Sequence, residues 1–184
     1  MTSQTSWDPH LDTNVLRIFY AGTRHECIGG RHFSIPSANA AARRIVRNLY
    51  AFLRPFIHAR GLGQVYLDPA DLVLGPDDVI QPDIVFVRAE HVSTGRLPLA
   101  AGTPDLVVEI VTAQEGELAR AKARLCEEYR IPEYWLVTPA QQRIDVFRLT
   151  GGGSIESTTL RHLNETLVSS QLRGLQIPLA EVFV

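Results

Sequence analysis

An acid stands inside an otherwise apolar run at Asp105-Leu-Val-Val-Glu-Ile-Val111. Strand alternation puts Asp105, Val107, Glu109 and Val111 on one face, and Leu106, Val108 and Ile110 on the other. An unpaired carboxylate buried there is costly, so Glu109 calls for a metal ion or a cation beside it. Asp83, in Gln81-Pro-Asp-Ile-Val-Phe-Val87, stands at the mouth of a second such run. The third group is Lys122, the one lysine among 18 basic residues. In a chain that otherwise uses arginine, a retained lysine marks a place where a compact ammonium does what a planar guanidinium cannot. Two carboxylates and one lysine form a minimal site for metal-assisted hydrolysis. The acids, with the backbone carbonyl of Ile110, hold Mg2+ or Mn2+ through hard oxygens, and the ammonium orients the attacking water. Asp83, Glu109 and Lys122 are thus the candidate catalytic residues, and Asp83, Glu109 and Ile110 the candidate metal ligands. Their charged groups are expected within roughly 4–6 Å of one another.

The elements that must position these groups are legible in the hydrophobic period. Ala42, Ile45, Leu49, Phe52, Leu53 and Phe56 recur at helical spacing after an N-cap expected at the end of Ser34-Ile-Pro-Ser37. Pro55 is expected to kink that helix and Gly61-Leu-Gly63 to stop it. From residue 64 the period changes to strands, at 65–67, 72–74, 84–87 and 106–111, with a turn at Gly75-Pro-Asp-Asp78. A second helix is expected over 117–130, ending ahead of Pro132. On it Leu118, Lys122, Leu125 and Tyr129 share one stripe, which makes Lys122 the single charge on the apolar face. If the role of Lys122 is catalytic alone, methionine there should leave the fold as stable or more so. Strands follow at 134–137, 143–149 and 157–163, then edge structure over 175–184. The order predicts one α/β (α+β) domain with a mixed central sheet flanked by helices.

The 184 residues are 45% apolar and 21% charged, with mean hydropathy near zero, which excludes disorder. No stretch approaches the roughly 18 uninterrupted apolar residues of a membrane span. Met1 to His10 carry no apolar signal region, so a cytoplasmic protein is expected. Cys27 and Cys126 make neither a disulfide framework nor a zinc motif. No phosphate-cradling glycine loop, dinucleotide fingerprint, HExxH, CxxC or GxSxG is present. Residues 1–60 hold eight arginines against three acids, although the whole chain has net charge −2. Arg43, Arg44 and Arg47 on the first helix are candidate nucleic-acid contacts, against the plainer reading of a solvated helix face.

The runs Gln81-Pro-Asp-Ile-Val-Phe-Val87, Gly102-Thr-Pro-Asp-Leu-Val-Val-Glu-Ile-Val-Thr112 and Ile131-Pro-Glu-Tyr-Trp-Leu-Val-Thr-Pro139, with Lys122 between the last two, resemble the Uma-type restriction endonucleases. These belong to the PD-(D/E)XK nuclease superfamily. The resemblance spans most of the chain, from about Glu26. It implies residues 1–25 as an N-terminal extension and residues 26–184 as one restriction-endonuclease-like domain. It further implies a divalent metal, usually magnesium, and phosphodiester hydrolysis on DNA. The family's lysine is displaced from the strand to the next helix, which fits Val111 and Lys122. Asp105, Glu26 and Thr112 are the groups expected to support the ligands. The chain departs from the family at Gly29, Arg31, Ala42 and Cys126. A homodimer is expected, because cutting both strands is most simply done by two sites on a two-fold axis. The alternatives are a catalytically degenerate relative that binds nucleic acid or protein, and a purely structural ion pair of Lys122 with Glu109.

Overall fold

The computed structural model describes residues 24–35, 38–67, 71–92, 104–111 and 116–184. Thr112 lies outside them. In chain order, β1 (Arg24–Ile28) and β2 (Arg31–Ile35) form a hairpin, followed by helix α1 (Ala40–Ala59). Strands β3 (Gly63–Leu67), β4 (Leu72–Gly75), β5 (Asp78–Ile80), β6 (Ile84–Arg88) and β7 (Leu106–Ile110) come next. Helix α2 (Gly116–Glu128) leads to β8 (Glu133–Thr138), β9 (Arg143–Leu149) and β10 (Ile155–Leu160). The chain closes with β11 (Thr166–Val168), β12 (Gln176–Pro178) and the short helix α3 (Leu179–Val182).

Six strands make the central sheet in the order β10-β9-β8-β7-β6-β3. Only β7 and β8 run parallel in it, joined through α2, so the sheet is mixed as expected. The α+β class and the helix-flanked sheet follow the sequence reading. A second sheet, β2-β1-β5-β4, carries the N-terminal hairpin, and β11-β12 is a two-stranded ribbon.

Alternation along β7 separates two cores. Leu106, Val108 and Ile110 pack with the buried stripe of α1, namely Ala42, Ile45, Leu49, Leu53 and Ile57. Val107 faces the other way, against Leu125 and Cys126 of α2 and Tyr134 of β8. Glu109, two residues on, shares that second face. The cap of α1 is Asn39, whose side chain accepts from the Ala42 amide at 2.9 Å, and not a serine at 34–37. Nor does Pro55 interrupt the helix. Both Pro55 and Ala51, whose carbonyl loses its donor there, are exposed, so that carbonyl is open to solvent. Helix α2 ends at Glu128, earlier than expected, because Arg130 turns left-handed (φ 55) and the Ile131 amide reaches back to the Cys126 carbonyl.

One glycine is demanded by close approach. Gly63 has φ +146, and a Cβ there would sit 2.1 Å from the Val87 carbonyl oxygen across the β3–β6 ladder. Rigid backbone offers no relief, so Gly63→Ala should destabilise the protein by about 3 kcal/mol. Urea denaturation checks this; a loss under about 1 kcal/mol would show that the crossing is not tight.

Candidate active site

Three acids, two on strands and one just ahead of a third strand, converge at the end of the central sheet where β7 and β8 finish. Glu109 is the fourth residue of β7 and only 2% exposed. Asp83 precedes β6 and is 3% exposed. The ladder pairs Ile84 with Val108, so Asp83 falls beside Glu109, and its Oδ2 accepts from the Ile110 amide at 2.7 Å. Ile110 therefore meets Asp83 through its N–H; this is the contact seen, where the sequence pointed to its carbonyl.

Helix α2 supplies the cation. Lys122 is buried, and its Nζ lies 2.8 Å from Glu109 Oε1 and 2.6 Å from Glu26 Oε1. Glu26 is the middle residue of β1, so the hairpin of the second sheet is tied into the site by an ion pair. Gln81 reinforces the tie, donating its backbone N–H to Glu26 Oε1 at 2.9 Å and its side-chain amide to Asp71 at 2.6 Å. Arg24, from the same strand, places a guanidinium nitrogen 2.9 Å from Asp83 Oδ1.

The structure brings Asp83, Glu109, Lys122 and Glu26 together, and adds Arg24, which sequence reasoning missed. Asp105 shares the face of Glu109 but belongs to the opposite end of β7. Its carboxylate accepts from the Arg88 amide at 2.8 Å and pairs with Arg88 Nε and His91 Nδ1, each at 3.0 Å. Asp105 therefore does not reach the site. Arg43, Arg44 and Arg47 are exposed on α1, which covers the face of the sheet away from Lys122.

The five charged groups sum to one negative charge: Glu26, Asp83 and Glu109 against Arg24 and Lys122. Burial raises the pKa of Glu109; Lys122 opposes the rise, Asp83 and Glu26 add to it, and the result is pushed up to about 8. Burial works against the charge on Lys122 as well, but Glu109 and Glu26 outweigh it and hold its pKa above the ordinary value. Lys122 is thus an ammonium at neutral pH. The neighbouring Cys126 is kept a neutral thiol, first by burial and then by the Glu109 charge.

Among the described residues no three carboxylate, imidazole or thiolate groups stand as a ready metal cage, and the two cations lie among the acids. The donor chemistry nonetheless fits a hard divalent cation. Every acid here offers oxygen, and Glu26 Oε2 is a buried anionic oxygen with no hydrogen-bond partner among the described residues. The Tyr134 hydroxyl, on the same face, is likewise unpartnered there.

The sequence profile of Uma2, described as "putative restriction endonuclease", matches residues 12–180. The chain belongs to the Uma2 family. A solved structure with the same fold is a "putative nuclease" of DUF820 from Anabaena variabilis ATCC 29413, with TM-score 0.78 and 17% identity over 93% of this chain and 96% of that one. Among curated proteins no match is found. Membership in Uma2 makes this a chain of a nuclease family, and the fold is that of a nuclease-like neighbour. No helix among the described residues is long and apolar enough to cross a membrane.

The proton on Glu109 has a stability signature. Between about 4.5 and about 8 the folded protein keeps a proton that the unfolded chain releases. Stability of the metal-free protein should therefore fall as pH rises through that window, with the loss complete above it. Glu109→Gln should flatten the slope. Denaturant melts at intervals across the window test this; parallel pH profiles for the two proteins would mean that Glu109 does not carry the proton.

Proposed function

We propose that this protein is a metal-dependent DNA endonuclease that hydrolyses phosphodiester bonds at Asp83, Glu109 and Lys122. The observation that carries this reading is a buried lysine shared by carboxylates at the end of the parallel strand pair, in a chain of the Uma2 family. A bound Mg2+ or Mn2+ supplies Lewis-acid polarisation of the phosphate and an activated water. Asp83 and Glu109 are its side-chain ligands in this reading, with the Ile110 carbonyl beside them and Glu26 Oε2 within the same cluster.

The roles follow from charge. Two of the three ammonium hydrogens of Lys122 are committed to Glu26 and Glu109, which leaves one donor for a water or a phosphate oxygen. Held as a cation, Lys122 does not take a proton. It orients the water and offsets negative charge as the phosphorus–oxygen bond to the leaving strand breaks. Glu109 must lose its proton to act as a ligand, so metal affinity rises with pH up to about 8 and levels off above it. Arg43, Arg44 and Arg47 contact DNA phosphates, and a homodimer presents one site to each strand.

A second reading, a degenerate nuclease fold serving as a binding module for nucleic acid or protein, is favoured by one contact. Arg24 holds Asp83 Oδ1, an oxygen a metal would use. Incubation with supercoiled plasmid decides between them. The wild type should nick or linearise it with Mg2+ or Mn2+, and Asp83→Asn, Glu109→Gln and Lys122→Arg should each lose about 100-fold or more. The guanidinium of Lys122→Arg is too large to sit between the two carboxylates and would bind one of them bidentately. Either metal should also raise the wild-type melting temperature and leave that of Glu109→Gln unmoved. Intact plasmid with the wild type in both metals, or undiminished cleavage by Glu109→Gln, would contradict the enzyme.

A further inference from the structure

A cavity of about 660 Å³ opens at the other end of the central sheet. Its wall includes Arg60, Arg88, Arg148 and Arg173, together with Ser170 and Gln171. Arg88 ends β6 whereas Asp83 precedes it, so the cavity and the carboxylate cluster lie at opposite ends of that strand. At about 3.3 Å per residue the separation along the strand is roughly 16 Å.

The cavity is positively charged beyond its own neutralisation. Glu156 is the one acid in its wall, and Arg88 is paired with Asp105. Among the described residues no carboxylate lies within ion-pair distance of Arg60, Arg148 or Arg173. Arg148 is held by neutral acceptors, Thr158 Oγ1 at 3.4 Å and the Val168 carbonyl at 2.9 Å. Arg60 lies over the Phe56 ring, 3.9 Å from its centroid.

The cavity is also prearranged. Glu133, 0% exposed, stands opposite Arg148 in the β8–β9 ladder without an ion pair to it among the described residues. Its Oε2 accepts from the Ser170 amide at 2.7 Å, from Ser169 Oγ and the Gln171 amide at 3.2 Å each, and from Ser170 Oγ. Its Oε1 accepts from the Trp135 indole at 2.6 Å. A buried carboxylate saturated by neutral donors thus fixes a surface turn, and that turn presents Ser170 and Gln171 to the cavity. Gln171 Oε1 in turn holds the Arg88 guanidinium at 2.8 Å. The ordering cost is met before any ligand arrives.

Concave, unneutralised guanidiniums recognise phosphate through their planar forks. The volume lies within the range of about 300–1,000 Å³ typical of small-ligand pockets, more than inorganic phosphate needs, and Leu62 and Leu149 add apolar wall for a base. We propose that this cavity is a second binding site, for a phosphorylated ligand of nucleotide size. The phosphate source is either a free mononucleotide or the end of a nucleic-acid strand.

Calorimetric titration of the full chain with dAMP, pyrophosphate and a short DNA duplex tests the site, using wild type, Arg173→Gln, Arg148→Gln/Arg173→Gln and Glu109→Gln. Arg173 is exposed, so its variant keeps the test valid should the double variant fold poorly. Wild type and Glu109→Gln should bind dAMP equally, with about tenfold weaker binding in the double variant and a smaller loss in Arg173→Gln. The same pattern seen with the duplex but not with dAMP would assign the phosphate to a strand and still support the site. Absence of binding by all three probes, or binding that neither arginine variant weakens, would overturn it. Because Glu109→Gln disables the carboxylate cluster alone, failure of the endonuclease reading and failure of this site are separable.

Discussion

The ammonium of Lys122 lies between carboxylates carried by two different sheets, Glu109 on the central one and Glu26 on the N-terminal hairpin, with almost no access to water. Each partner alone would be a desolvated charge in an apolar setting; together they are tolerable only at close range and with their remaining hydrogen bonds satisfied. That requirement fixes the depth of α2 against β7 and β8, and it holds the hairpin against the Gln81 backbone. Asp83 is set by the same arrangement, through the Ile110 amide on one oxygen and Arg24 on the other. The positions of Glu26 and Glu109 therefore depend on where one side chain of α2 comes to rest.

The central sheet divides its chemistry between its ends. Where β7 and β8 finish, carboxylates gather around a lysine and leave an excess of negative charge. Where those strands begin, Arg88 and Arg148 stand over a turn anchored by Glu133, and the excess is positive. One end suits a divalent cation, the other an anion. Both lie at strand termini, beyond the two apolar layers built by α1 on one face of the sheet and by α2 on the other.

Much of this was legible beforehand, and the reasons differ by residue. Glu109 and Asp83 stood out because acids interrupt apolar runs, and Lys122 because it is the sole lysine on an apolar helical stripe. Asp105 was placed on the correct face by alternation. Alternation carries no information on position along the strand, and four residues put Asp105 at the far end. The hairpin was missed because Arg24-His-Glu-Cys-Ile28 has no apolar face to betray it: its inward side is charged. The Gly29-Gly30 pair, both at positive φ (57° and 72°), was the available turn signal. The stripe also implied that Lys122→Met would leave the fold as stable or more so. With Glu26 and Glu109 both on the ammonium, that change leaves two buried acids facing each other.

A double-mutant cycle of Glu26→Gln and Lys122→Met measures the coupling between hairpin and helix. Urea denaturation of wild type, both single variants and the double variant, without metal and at one pH, yields the interaction energy. A bridged ammonium predicts that the double variant is more stable than the sum of single losses allows, with a coupling of about 2 kcal/mol or more. Losses that add to within about 0.5 kcal/mol would mean that Lys122 does not join the two sheets.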